Sequence, residues 1–97
     1  VVCYSETRTI IGMIAVYMNR PPLCYISHVS VLPVYRKCGI FSAMCHHLEQ
    51  EAMRHGCNDI KLEVKIDNLP ALRAYEKNGF VITEKAKDDS VYMIKSM

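Results

Sequence analysis

The apolar residues of this chain change their period between Pro33 and Gly39. Upstream, residues 1–4, 9–18 and 25–32 are short runs rich in Ile, Val, Met and Tyr, the composition of β-strands. Residues 5–8 form a polar turn. Asn19-Arg20-Pro21-Pro22 interrupts the second run, because proline cannot donate to a ladder. Pro33 closes the third, and the three strands predict an antiparallel meander. Downstream, Phe41, Met44, Cys45, Leu48 and Ala52 fall at the three-and-four spacing of an amphipathic helix over residues 39–55. Gly56 stands where such a helix is usually closed.

The remainder repeats this alternation of element types. Between residues 60 and 66, Leu62, Val64 and Ile66 alternate with Lys61, Glu63 and Lys65, which predicts a strand with one polar face. Asn68 is a good N-cap and Pro70 is tolerated in a first helical turn. The helix runs to Lys77 or Asn78 and stops at Gly79. Residues 80–84 and 91–95 complete the chain as strands around the polar turn Lys87-Asp88-Asp89-Ser90. The expected order is β-β-β-α-β-α-β-β, a mixed α/β sheet in one domain spanning residues 1–97. One helix crosses between the third and fourth strands, which are therefore expected to be parallel.

Composition narrows the function. No apolar run approaches the roughly 18 residues of a membrane span, and residues 1–6 lack the basic end and apolar stretch of a signal peptide. Five cysteines, odd in number and without a C-x-x-C pair, read as reduced thiols in a cytoplasmic protein. A net charge of +2, with no basic block, gives no reason to expect nucleic acid or membrane partners. Cys45-His46-His47 has no suitably spaced second ligand pair, so no metal site is expected.

Val29-Ser30-Val31-Leu32-Pro33-Val34-Tyr35-Arg36-Lys37-Cys38-Gly39-Ile40-Phe41-Ser42 reads as a strand, a loop and a helix start. Helix N-terminal amides lack internal partners and carry the positive end of the dipole, so such a turn suits an anion such as a pyrophosphate. Arg36 and Lys37 add positive charge, Cys38 lies in the loop, and Gly39 permits close approach of the backbone. A glycine at a strand-to-helix turn is also commonly structural.

Val31-x-Pro33-x-x-Arg36-x-x-Gly39-Ile40 resembles the acyl-CoA signature of the GNAT superfamily of N-acetyltransferases. Asn68-x-x-Ala71-x-x-x-Tyr75-x-x-x-Gly79-Phe80 resembles that family's second hallmark, at the expected distance downstream. The resemblance covers nearly the whole chain. It implies that the amides of residues 36–42 (Arg36, Lys37, Cys38, Gly39, Ile40, Phe41, Ser42) hold the pyrophosphate of acetyl-CoA. It implies backbone hydrogen bonds from Val29 and Val31 to the pantetheine arm, a further one from Asn68, and Tyr75 beside the thioester sulfur. There a phenol protonates or stabilises the departing thiolate. Phe41 departs from the family pattern, where Gly or Ala is usual; its ring is expected to turn inward while its N–H still faces the phosphates.

The amine must also lose a proton, and Glu63 is the first candidate base. The string Leu62-Glu63-Val64-Lys65 resembles L-E-V-R of ribosomal-protein N-terminal acetyltransferases. The bland alternative is a solvated charge paired with Lys61 or Lys65. His28 is the second candidate. The implied function is acetyl transfer from acetyl-CoA, as cosubstrate, to a primary amine on a small molecule, a protein N-terminus or a lysine. The other reading is a catalytically degenerate acyl-CoA-binding or regulatory module. The chain starts without Met and lacks the first strand and two helices that the resembling fold carries. It is therefore expected to be part of a longer chain, or to cover an apolar sheet face as a homodimer.

Overall fold

A bulge in β3 and two crossovers set the part of the sheet that carries the site. The computed structural model describes residues 2–4, 10–35 and 39–97; the turn expected at residues 5–8 lies outside them. The strands are β1 (Val2–Tyr4), β2 (Ile10–Tyr17), β3 (Leu23–Val31), β4 (Asp59–Lys65), β5 (Val81–Lys87) and β6 (Ser90–Ser96). The helices are α1 (Ile40–Arg54) and α2 (Leu69–Lys77). The expected order of elements is found, with a 3-10 turn at Pro33–Tyr35 added after β3. The sheet order is β1-β2-β3-β4-β6-β5. All neighbours are antiparallel except β3 and β4, which α1 joins as a parallel pair.

Both helices serve one hydrophobic core. Met44, Cys45, Leu48 and Ala52 of α1 are buried against Ile14, Cys24, Ile60, Leu62 and Met93 of the sheet, and Ala71, Leu72 and Tyr75 of α2 pack on the same cluster. α1 begins directly over β2: a Cβ at Gly12 would meet Met44 Cε at 3.0 Å and Ile40 Cγ2 at 3.1 Å. The face away from the helices carries Lys61, Glu63 and Lys65, with the exposed residues Tyr17, Leu23 and Val81 around them.

The bulge lies in β3. Ala15 pairs with His28 but Val16 pairs with Ile26, so Ser27 is an extra residue, its hydroxyl donating to the Ala15 carbonyl at 3.3 Å. Core-facing positions therefore pass from Cys24 and Ile26 to Val29 and Val31. The β5–β6 hairpin is longer than the 80–84 and 91–95 runs suggested. β6 pairs with β4 from Asp59↔Ser96 to Lys65↔Ser90, and this continuous ladder draws polar Lys87 and Ser90 into strands. Only Asp88 and Asp89 remain as the turn.

Both helices end in the same way. After α2, the Phe80 N–H reaches the Tyr75 carbonyl at 3.0 Å and the Gly79 N–H reaches the Glu76 carbonyl at 3.0 Å, with Gly79 at φ 94°. This is a Schellman closure, and the contact it brings is between Tyr75 and Phe80, ring centroids 5.9 Å apart. Gly79→Ala is expected to destabilise the fold by about 1–2 kcal/mol from the left-handed backbone alone. Its Cβ would also stand 3.2 Å from Lys95 Cε, on a side chain tied to Glu49 at 2.6 Å. Urea denaturation midpoints measure the loss; an unchanged midpoint would show that the closure is not required.

Candidate active site

β3 and β4 begin side by side and then part. Their pairing runs from Leu23↔Asp59 to Tyr25↔Lys61, while β3 continues against β2 to Val31 and β4 against β6 to Lys65. A gap opens inside the sheet. The Leu32 N–H donates to the Ile11 carbonyl at 2.8 Å, toward β2. Alternation along an antiparallel ladder then directs the backbone groups of Val29 and Val31 to the opposite edge, toward the gap. A cavity of about 450 Å³ lies where the strands diverge, on the face away from the helices, with Tyr25, Ser27, Glu63, Lys87 and Ser90 among its lining.

The start of α1 stands beyond the end of β3. Gly39 occupies the N-cap at φ 77° and ψ 10°, with no side-chain cap. Among the described residues nothing lies within 4 Å of where its Cβ would be, and its left-handed backbone is strained for any other residue. The helix ladder starts with the Ala43 N–H on the Gly39 carbonyl at 3.1 Å. The amides of Ile40, Phe41 and Ser42 are therefore unused by the helix itself. Phe41 does turn inward: it is half-buried, and its ring meets Tyr75 edge-on at 5.2 Å. Arg36, Lys37 and Cys38 lie outside the described residues.

Tyr75 is thus held between two rings, Phe41 and Phe80. Its hydroxyl makes no hydrogen bond among the described residues, and none of their side-chain polar atoms is both fully buried and unpaired. The ring is packed while the oxygen reaches solvent. Burial, and secondarily Cys45, push its pKa above the ordinary phenol value. Asn68 caps α2 by accepting from the Ala71 N–H at 3.4 Å, a long bond that leaves its amide nitrogen without a partner among the described residues.

Glu63 projects from the opposite face of β4. Its Oε2 accepts from Ser90 Oγ at 2.7 Å and lies 3.8 Å from Lys87 Nζ. The expected partners are engaged elsewhere: Lys61 with Glu84 at 3.8 Å and with the Tyr92 ring at 4.1 Å, Lys65 with Asp89 at 3.8 Å. Tyr25, beside Glu63, has its pKa raised by burial first, then by the charge of Glu63, then by Tyr92.

The sequence from residue 1 to residue 80 matches the model of the acetyltransferase (GNAT) family. The chain belongs to the GNAT family. It is 28% identical over 90 residues to the aminoglycoside N(6')-acetyltransferase type 1 of Acinetobacter genomosp. 13, covering 84% of this chain and 62% of that protein. It superposes at a TM-score of 0.88 on a proposed streptothricin acetyltransferase of Bacillus anthracis str. Ames, solved with acetyl coenzyme A, at 26% identity and covering 99% of this chain and 60% of the other. Naa20 of Chaetomium thermophilum, solved with a bisubstrate analogue, gives a TM-score of 0.89 at 23% identity, covering 99% and 64%. The chain spans less than two-thirds of each of these proteins.

The residues singled out in this GNAT chain divide into two groups. Val29, Val31, Ile40, Phe41 and Tyr75 adjoin one core on the helix face; Glu63 lies on the other face and lines the cavity where β3 and β4 part. His28 is exposed on β3, and His46 and His47 are exposed on α1 while Cys45 is buried. Ser90 and Lys87 were missed, because both were read as turn; the polar face of β4 was the available signal, since a half-buried carboxylate there needs a donor from its neighbour. The raised pKa of Tyr75 stabilises the fold below the ordinary tyrosine range and is lost as pH rises through the folded value. Tyr75→Phe is expected to remove part of the fall in stability above about pH 10, read from denaturation midpoints. A fall identical to the parent's would show that Tyr75 titrates as it does in the unfolded chain.

Proposed function

We propose that this chain is the acetyl-CoA-binding part of an N-acetyltransferase that moves an acetyl group directly to a primary amine. The observation that carries it is the gap between β3 and β4, with Glu63 lining the cavity there and Tyr75 packed on the helix face of the same sheet. The amides of Ile40, Phe41 and Ser42 take the pyrophosphate, together with Arg36, Lys37 and Cys38, which precede them in the sequence. The pantetheine arm lies along β3 as an extra strand on the backbone of Val29 and Val31, and Asn68 donates its amide to the arm. Family membership and the acetyl-CoA complex of the Bacillus anthracis relative support this reading.

The amine nitrogen attacks the thioester carbonyl carbon, and the carbon–sulfur bond breaks. The thiolate takes a proton from Tyr75, whose phenol is protonated and neutral at neutral pH; burial raises its pKa further. The proton lost by the amine passes to Glu63, directly or through water in the cavity. The products are the N-acetylated amine and free coenzyme A. The aminoglycoside acetyltransferase relative suggests a small-molecule amine; a protein N-terminus or lysine fits the same chemistry. Free thiols at Cys24, Cys45 and Cys57 suit a reducing cytoplasm. Among the described residues no helix is long and apolar enough to cross a membrane.

Thiol release from acetyl-CoA, followed with kanamycin, spermidine, a lysine peptide and a short N-terminally free peptide, tests the activity. Gly39→Asp is expected to abolish coenzyme A binding in calorimetry, because a carboxylate would face the phosphates. Calorimetry showing no binding to the parent would refute the cofactor site, and binding without thiol release would favour a degenerate binding module. Tyr75→Phe is expected to lower kcat by roughly tenfold or more while the coenzyme A Kd changes little. Glu63→Gln should slow turnover most at the lower end of the pH range, where free amine is scarcest; weakened coenzyme A binding instead would mark Glu63 as structural.

A further inference from the structure

Ser90 is the one polar residue among those described that is buried to 2% exposure. It begins β6 immediately after the Asp88-Asp89 turn, and that turn is fixed to the end of β4 by the Ile66 N–H on the Asp89 carbonyl at 2.8 Å. Its hydroxyl donates to Glu63 Oε2, the same oxygen that Lys87 Nζ approaches. Both contacts fall on Oε2, so Oε1 has no partner among the described residues, on a side chain that lines the cavity.

We infer that Ser90 is a positioning residue: its hydroxyl anchors one oxygen of Glu63 and leaves the other aimed at the amine in the cavity. This rests on Glu63 being the base of the proposed reaction. A carboxylate free to rotate about its terminal torsion presents either oxygen in many directions. One short hydrogen bond from a buried donor removes most of that freedom before the acceptor arrives. Other groups around Glu63 do not substitute for it. On its own strand Lys61 and Lys65 are paired with Glu84 and Asp89. Tyr25 on β3 and Tyr92 on β6 flank it, and Lys87 on β5 stands at 3.8 Å with an exposed side chain whose contact salt weakens.

The test uses the full natural chain, acetyl-CoA and the fastest acceptor among kanamycin, spermidine and the two peptides. Ser90→Ala is expected to lower kcat by roughly tenfold, the kinetic equivalent of one hydrogen bond to a charged group, with coenzyme A affinity retained. The loss should fall on kcat while the KM for acetyl-CoA stays near the parent's, a split that a merely structural role would not produce. Ser90→Thr, which keeps the hydroxyl, should recover much of the rate. A slow Glu63→Gln together with a Ser90→Ala that matches the parent in kcat would overturn the role of Ser90 alone. A Glu63→Gln as fast as the parent, or no acetylation of any acceptor, would overturn the base assignment and this inference with it.

Discussion

The parallel ladder between β3 and β4 ends at Tyr25↔Lys61 while both strands continue, held by β2 on one side and β6 on the other. The two strands thus part inside the sheet and not at its rim. The helix face closes the sheet beneath it: Ile26 and Val64, just past the divergence, are both buried in the core. What lies between them is a slot with the β3 backbone along one wall and packed side chains below. An extended, amide-containing chain is the shape that fits such a slot, as an added strand fits a sheet edge. The helix that begins just past β3 then sets a positive terminus at one end of the same slot.

The two sequence motifs are physically one object. Phe41 belongs to the first and Tyr75 and Phe80 to the second, and their rings pack in series, 5.2 Å and 5.9 Å apart. Gly79 makes the series possible, because its left-handed backbone returns Phe80 onto the preceding turn. The end of α2 and the start of α1 are thereby fixed relative to each other across the core. Phe41, which departs from the family pattern, contributes the edge of this stack, so the departure is accommodated by packing.

Most of the architecture was legible in the sequence because period, proline and glycine positions agreed with one another. The Leu62-Glu63-Val64-Lys65 alternation gave the faces of β4 correctly, and Asn68 and Gly79 gave both ends of α2. The extent of the β5–β6 hairpin was not legible. Lys85, Lys87 and Ser90 have turn-like or surface-like character; Ser90 is strand through its pairing with Lys65 of β4, and Lys85 and Lys87 through theirs with β6. The partners of Glu63 were hidden for the same reason: Ser90 and Lys87 reach it across strands. Lys61 and Lys65, its neighbours in sequence, look to Glu84 and Asp89 instead.

The extra residue Ser27 acts on β3 as a frameshift acts on a message. Before it, even-numbered side chains enter the core; after it, odd-numbered ones do. Read without that insertion, the strand would send His28 and Ser30 beneath the helices and turn the valines out. The backbone would be out of phase as well, with residues 28 and 30 offering their amides to the slot. One inserted residue thus corrects two phases together, apolar side chains toward the core and their own amides toward the opening. A deletion there would leave every downstream residue chemically intact and put each of them in the wrong place.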